Sequence, residues 1–152
     1  MKALVAYFSA EMGKTRSVAR ALAEMVDADI FEIKPGKPYS DADLNWRNPM
    51  SRCNREKFGK KDVPIAETAT DWDEYDTVYL GFPIWYYGAP NVVQSFCKAY
   101  DWAGKRIFVF ATSGSSGIGK TVEKLAPFLG SGKIMDARRV GGADELRDWN
   151  VK

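Results

Sequence analysis

Three stretches of the chain are apolar almost without interruption: ALVAYFS (Ala3 to Ser9), TVYLGFP (Thr77 to Pro83) and RIFVFAT (Arg106 to Thr112). Each has the length of a strand rather than of a helix. A strand that is apolar on both sides must be covered on both faces, a condition met chiefly by parallel sheets whose crossover helices lie above and below them. Two weaker stretches, DIFEIK (Asp29 to Lys34) and KIMDARRV (Lys133 to Val140), alternate apolar and polar residues, and the first of them reads as an edge strand.

Helical spacing fills the intervals. Val18, Leu22 and Met25 recur after Thr15, and Val93, Phe96, Cys97 and Tyr100 follow Pro90 at i, i+3, i+4 and i+7. Pro90 suits the first turn of a helix, where a missing N–H costs nothing. Cys97 is therefore expected to face the core rather than to act as a reactive thiol. Val122, Leu125 and Leu129 mark a third helix that Pro127 breaks near its end, and ADELRDW at the C-terminus has the makings of a short last one. Strands alternating with helices predict a single parallel α/β domain with right-handed crossovers, and a length of 152 residues suits one such core. These sheets bind ligands beyond the carboxyl ends of their strands, where the strand order reverses. The residues that follow each strand thus carry the functional information.

The first strand runs into SAEMGKT, Ser9 to Thr15, and a helix follows at once. Hydroxyls, a Gly and exposed N–H groups at a helix N-terminus make an anion site, which the helix dipole and Lys14 would favour. An ordinary helix cap has the same appearance. The third strand ends in GFPIWYYGAP, where Trp85, Tyr86 and Tyr87 fall on a loop framed by Pro and Gly. Three large rings on one loop usually cover something, either the long segment between Pro35 and Tyr75 or a flat aromatic ligand. That segment opens with SDAD, a helix-start signal at Ser40, and is long enough to suggest a functional role.

The fourth strand ends in ATSGSSGIGKT, which from Gly114 spells the G-x-x-x-x-G-K-T pattern of a nucleotide triphosphate loop. The rest of such a site is missing. The neighbouring strand ends in GFPIW with no acidic residue to hold magnesium. Too little chain follows Lys120 for the remaining sheet, and Pro127 interrupts the helix that should follow. The small residues of this loop read instead as an unobstructed row of N–H groups on the same rim, and Lys120 and Thr121 as the start of a surface helix.

Composition narrows the chemistry. The chain has no His, so His-dependent triads, imidazole metal ligands and the commonest general base are absent. Its two cysteines, Cys53 and Cys97, lie far apart, which argues against zinc and for a reduced cytoplasmic protein. A net charge of +2 gives no case for nucleic acid, and the basic stretch REKFGKK (Arg55 to Lys61) reads as a solvated loop. No secretory signal and no apolar run near the roughly 20 residues of a membrane span is visible.

Taken in order, YFSAEMGKT, YDTVYLGFPIWYYGAP and GKRIFVFATSGSSGIG resemble the flavodoxin family, and the likeness extends to YSDADLNW…SR (Tyr39 to Arg52). It covers nearly the whole chain, and it is similar above all to short bacterial flavodoxins. The resemblance implies a flavodoxin-like three-layer sandwich: a five-stranded parallel sheet of order 2-1-3-4-5 in a single domain. It also implies FMN, held non-covalently at the switch between the first and third strands. Carried over residue by residue, Ser9, Gly13, Lys14 and Thr15 would bind the FMN phosphate. Pro83, Ile84, Trp85, Tyr86, Tyr87 and Gly88 would flank the isoalloxazine ring. Thr112, Ser113, Gly114, Ser115 and Gly117 would reach its polar edge. Against the usual S-x-x-G-x-T pattern, this chain has one extra residue between Ser9 and Gly13, and Glu11 adds a negative charge.

The implied function is low-potential electron transport between redox partner proteins, a reductase and an electron acceptor, with no role for nucleic acid or membrane. Flavin chemistry needs no catalytic side chain, so the lack of His is no obstacle. A peptide carbonyl near Gly88 would accept a hydrogen bond from the reduced ring, Gly allowing that peptide to turn. Two other functions fit the same fold. One is an FMN-dependent NAD(P)H or quinone reductase, with a second pocket built from Asp43 to Arg52. The other is an FMN-free scaffold whose aromatic loop binds a protein. Many flavodoxins are strongly acidic, and this chain is not, so the type of partner does not carry over with the fold.

Overall fold

A computed structural model of the chain describes residues 2–9, 14–34, 72–83, 91–112 and 118–149. Five strands form one parallel sheet in the order β2-β1-β3-β4-β5: β1 Lys2–Tyr7, β2 Asp29–Glu32, β3 Tyr75–Pro83, β4 Arg106–Thr112 and β5 Lys133–Arg139. Among the described residues three α-helices lie between strands, α1 Lys14–Val26, α2 Asn91–Lys98 and α3 Ile118–Leu125. Short 3-10 segments at Trp72–Glu74, Ala126–Leu129 and Ala143–Trp149 complete the described elements. This is the expected order, with β2 at one edge.

The two-sided burial of the central strands follows from their sequences. Val5 and Tyr7 of β1, Tyr79 of β3, and Phe108 and Phe110 of β4 point to one face, where they meet α1 and the C-terminal segment through Leu146 and Trp149. Their neighbours Leu4, Ala6, Val78, Leu80, Phe82, Ile107 and Val109 point to the other face, against α2 and α3. With a period of two, a continuous apolar run supplies both cores at once. Each large side chain buried in this way contributes about 1.5–3 kcal/mol.

Helix α1 presents Thr15, Val18, Ala19, Leu22, Ala23 and Val26 as one buried stripe. Met25, expected on that stripe, is only half-buried, and Val26 takes the inward place because 3.6 residues per turn bring it beneath Leu22. On the opposite face α2 buries Val92, Val93, Phe96 and Cys97. Cys97 is wholly enclosed, and burial pushes its thiol pKa up, so it is an inert core residue as expected. Pro127 does end α3: the chain tightens at Leu125 into a 3-10 turn that begins with Ala126 and Pro127 and places Leu129 in the core. Thr121, expected at the start of a surface helix, is fully buried on the inner side of α3.

At the amino edge of the sheet, far from the strand ends discussed below, Lys105 is also buried. Its ammonium donates to the carbonyls of Trp72 (3.0 Å) and Tyr75 and lies 4.8 Å from the centre of the Trp72 ring. Backbone dipoles and an aromatic face thus solvate the charge in place of water and tie the start of β3 to the start of β4.

Candidate functional site

All five strands run the same way, so β1, β3 and β4 end on one edge. The strand order reverses between β1 and β3, the place where doubly wound sheets open a crevice. Tyr7 pairs with Gly81, and Pro83 pairs with Thr112. The Phe8 N–H donates to the Gly81 carbonyl at 2.9 Å, carrying the pairing one residue beyond β1.

Ser9 then leaves the sheet, and its hydroxyl oxygen accepts the Arg16 N–H at 3.3 Å. Arg16 stands in the first turn of α1, so Ser9 satisfies one of the donors that a helix N-terminus leaves open. The N–H groups of Lys14 and Thr15, in the same turn, have no acceptor within the helix. Beside them the Thr15 and Thr112 hydroxyls meet at 2.7 Å, both buried. This contact links the start of α1 to the end of β4 across the end of β3. Two hydroxyls that share one contact use one of their two hydrogens in it, so the pair retains a donor for a further acceptor.

The first turn of α1 is tied to the sheet a second time. Arg16 Nη2 donates to Glu32 Oε2 at 2.8 Å, and Glu32 is the residue of β2 that pairs with Tyr7 of β1. The hydrogen bond to Glu32, with a smaller electrostatic contribution from Tyr7, holds the Arg16 guanidinium above its ordinary pKa. Neither Arg16 nor Glu32 is singled out by the sequence. Arg16 follows the loop directly, but its partner becomes visible only with the β1–β2 register.

Of the residues expected to form the site, the structure brings together Ser9, Thr15 and Thr112, with the backbone of Lys14 starting α1 and Pro83 beside Thr112. Gly13, Ile84, Trp85, Tyr86, Tyr87, Gly88, Ser113, Gly114, Ser115 and Gly117 lie outside the described residues. Chemically, the described part is a row of neutral hydrogen-bond donors at the positive end of a helix dipole. Among the described residues no group of acidic, His or Cys side chains could hold a metal ion, and no helix is long and apolar enough to cross a membrane.

Sheet order, helices on both faces and a hydroxyl-lined carboxyl edge define a doubly wound α/β protein with its polar rim at the β1/β3 switch point. The chain belongs to the flavodoxin family, whose profile matches residues 2–152. Two crystal structures are similar to it over nearly their full length. A putative flavoprotein from Bacteroides uniformis ATCC 8492 is 37% identical, with 97% of this chain and 96% of that one covered and a TM-score of 0.89. A putative flavoprotein from Bacteroides eggerthii DSM 20697 is 34% identical, with 97% and 94% covered and a TM-score of 0.90. A flavoprotein from Lactobacillus acidophilus NCFM, solved in complex with FMN, shares the fold at 19% identity, with 99% of each chain covered and a TM-score of 0.74. No curated protein matches the chain.

Proposed function

We propose that the chain binds FMN non-covalently at the carboxyl edge of β1, β3 and β4 and serves as a low-potential electron carrier between a reductase and an electron-accepting protein. The observation that carries this reading is the Thr15–Thr112 hydroxyl pair at the N-terminus of α1. It sets neutral donors beside the open N–H groups of a first helical turn, a donor set that fits a phosphate monoester. Membership of the flavodoxin family and the similarity to two flavoproteins support the choice of FMN over other phosphates.

In this proposal Ser9, Gly13, Lys14 and Thr15 hold the phosphate, and Thr112 orients the Thr15 hydroxyl toward it. The segments Pro83–Gly88 and Ser113–Gly117 enclose the ring system, with the faces of Trp85, Tyr86 and Tyr87 excluding water from it. Bound FMN supplies the redox chemistry, which needs no acid or base from the protein. What the chain contributes is orientation, the potential of the α1 dipole, and burial.

Titration of FMN-stripped protein with FMN and with riboflavin, followed by visible absorption and Trp fluorescence, tests the site. The phosphate is the only difference between these ligands, so FMN should bind more tightly, and equal affinities would remove the role given to Ser9 through Thr15. Assay of the purified protein with NAD(P)H and a quinone tests the carrier reading. Steady turnover would make the protein a reductase and leave the FMN site standing.

A further inference from the structure

Arg16 joins three elements at the edge where the proposed phosphate site lies. Its backbone N–H goes to Ser9 Oγ at 3.3 Å, where the chain leaves β1, and its Nη2 goes to Glu32 Oε2 of β2 at 2.8 Å. Tyr7 and Glu32 are register partners in adjacent strands, so the guanidinium is anchored to a rigid part of the sheet. Arg16 Nε is buried with no hydrogen-bond partner among the described residues, so the bond from Nη2 to Glu32 is the contact that holds the guanidinium in place.

We infer that the Arg16–Glu32 pair is a positioning device for anion selectivity: by pinning the first turn of α1 to β1 and β2, it fixes where the N–H groups of Lys14 and Thr15 and the hydroxyls of Ser9 and Thr15 point. This inference rests on the FMN reading above. The mechanism is geometric. Donors at a helix N-terminus act on a phosphate only within hydrogen-bonding distance, and a first turn free to fray spreads them over many orientations. Glu32 also neutralises the guanidinium, so the pair adds little net charge to the edge. Its contribution is therefore orientation rather than attraction, and it should act on the phosphate and leave the ring system's contacts, assigned above to the segments that follow β3 and β4, unchanged.

The test is the ratio of FMN to riboflavin affinity in the full chain. Glu32→Gln keeps size and loses charge, and Arg16→Met keeps a long apolar stem and loses the donors. Each should lower FMN affinity by about five- to tenfold while riboflavin affinity stays within about twofold. Arg16→Lys should recover part of the loss, and the double variant should be no worse than either single one, because the two residues act as one unit. Equal weakening of both flavins would show a general structural role and overturn the inference, as would unchanged FMN affinity in both single variants. If Arg16→Met does not fold, Glu32→Gln alone decides. Wild-type protein that binds both flavins alike would overturn the phosphate site itself, a result distinct from a wild-type preference that persists in the variants.

Discussion

The hydroxyls of Thr15 and Thr112 lie 2.7 Å apart although 97 residues separate them in the chain. Both side chains are buried, so each hydroxyl depends on the other for the partner that water would otherwise supply. Removing one leaves the other enclosed without it, at a cost of about 1–3 kcal/mol. Thr112→Val and Thr15→Val should each destabilise the protein by roughly that amount. The double variant should cost less than the sum, because no hydroxyl is left stranded. Urea unfolding of the three variants measures this, and strict additivity would mean that the contact contributes nothing. FMN affinity should fall in both single variants.

Gly81 and Phe110 are register partners on β3 and β4, and the Phe110 ring lies over the glycine. A Cβ at position 81 would stand 2.0 Å from Phe110 Cζ. The ring is fully buried and has no open side to move to. Gly81→Ala should therefore destabilise the fold by at least about 1–3 kcal/mol, the usual cost of overpacking. The effect should be smaller in a Phe110→Leu background, where the far end of the ring is gone. The urea midpoint should fall with little change in slope if the native state simply loses stability.

How much of this was legible in the sequence depended on how local each feature is. Strand β4 was readable to the residue, since RIFVFAT is a self-contained apolar run. The apolar run Ala3 to Ser9 starts one residue after β1 does and ends two residues beyond it. Phe8 continues the apolar pattern and carries the pairing on through its N–H to Gly81, but Ser9 turns back to accept a hydrogen bond from α1, a tertiary contact that no periodicity reveals. The hydroxyls of Ser9 and Thr15 fit a rim site and an ordinary helix cap equally, and spacing along the chain does not choose between the two. The Thr15–Thr112 contact and the Arg16–Glu32 pair did not show, because both depend on strand order and register rather than on spacing along the chain. The inward turn of Thr121 was missed for a similar reason: a polar residue next to a lysine looks solvent-facing until the helix is seen against the sheet.

The C-terminal segment is held to β5 by charges, which gives stability a pH dependence. Burial alone would push the Asp136 carboxyl up. Hydrogen bonds from Trp149 Nε1 and the Ala137 N–H, together with the Arg138 guanidinium, outweigh that and hold it below the ordinary range. Arg138 also hydrogen-bonds Asp148, at 2.6 and 2.5 Å, and holds its carboxyl low too. A carboxyl depressed in the folded state stabilises the protein above its unfolded pKa, about 3.9, and that contribution disappears as the pH falls through the folded value. The melting temperature should thus be flat on this account near neutrality and drop below about pH 4. Asp136→Asn should lower the plateau and make the acid decline shallower. An acid limb identical to that of the wild type would assign the pH dependence to other carboxylates.

The G-S-S-G-I-G-K-T sequence after β4 makes a different prediction from the flavin site, and a pair of lysines separates them. In a working nucleotide triphosphate loop, Lys120 would contact the outer phosphates and the Thr121 hydroxyl would reach a magnesium ion. Helix α3 already begins at Ile118, two residues before that lysine, and Thr121 is fully buried. Moreover α3 packs on the face of the sheet opposite α1, through Leu125, whereas the proposed phosphate site is at the start of α1. Lys120→Ala should therefore leave FMN binding nearly intact, and the wild type should not bind magnesium ATP. Lys14, in the first turn of α1, is placed to matter more. A single cation near an anion at a helix N-terminus is worth about 1 kcal/mol, so Lys14→Ala should weaken FMN about fivefold. Riboflavin, lacking the phosphate, should be indifferent to both changes. Calorimetry on the two variants with FMN, and on the wild type with magnesium ATP, measures all of this. Micromolar ATP binding that Lys120→Ala abolishes would assign the loop after β4 to a triphosphate and overturn the flavin reading of that rim.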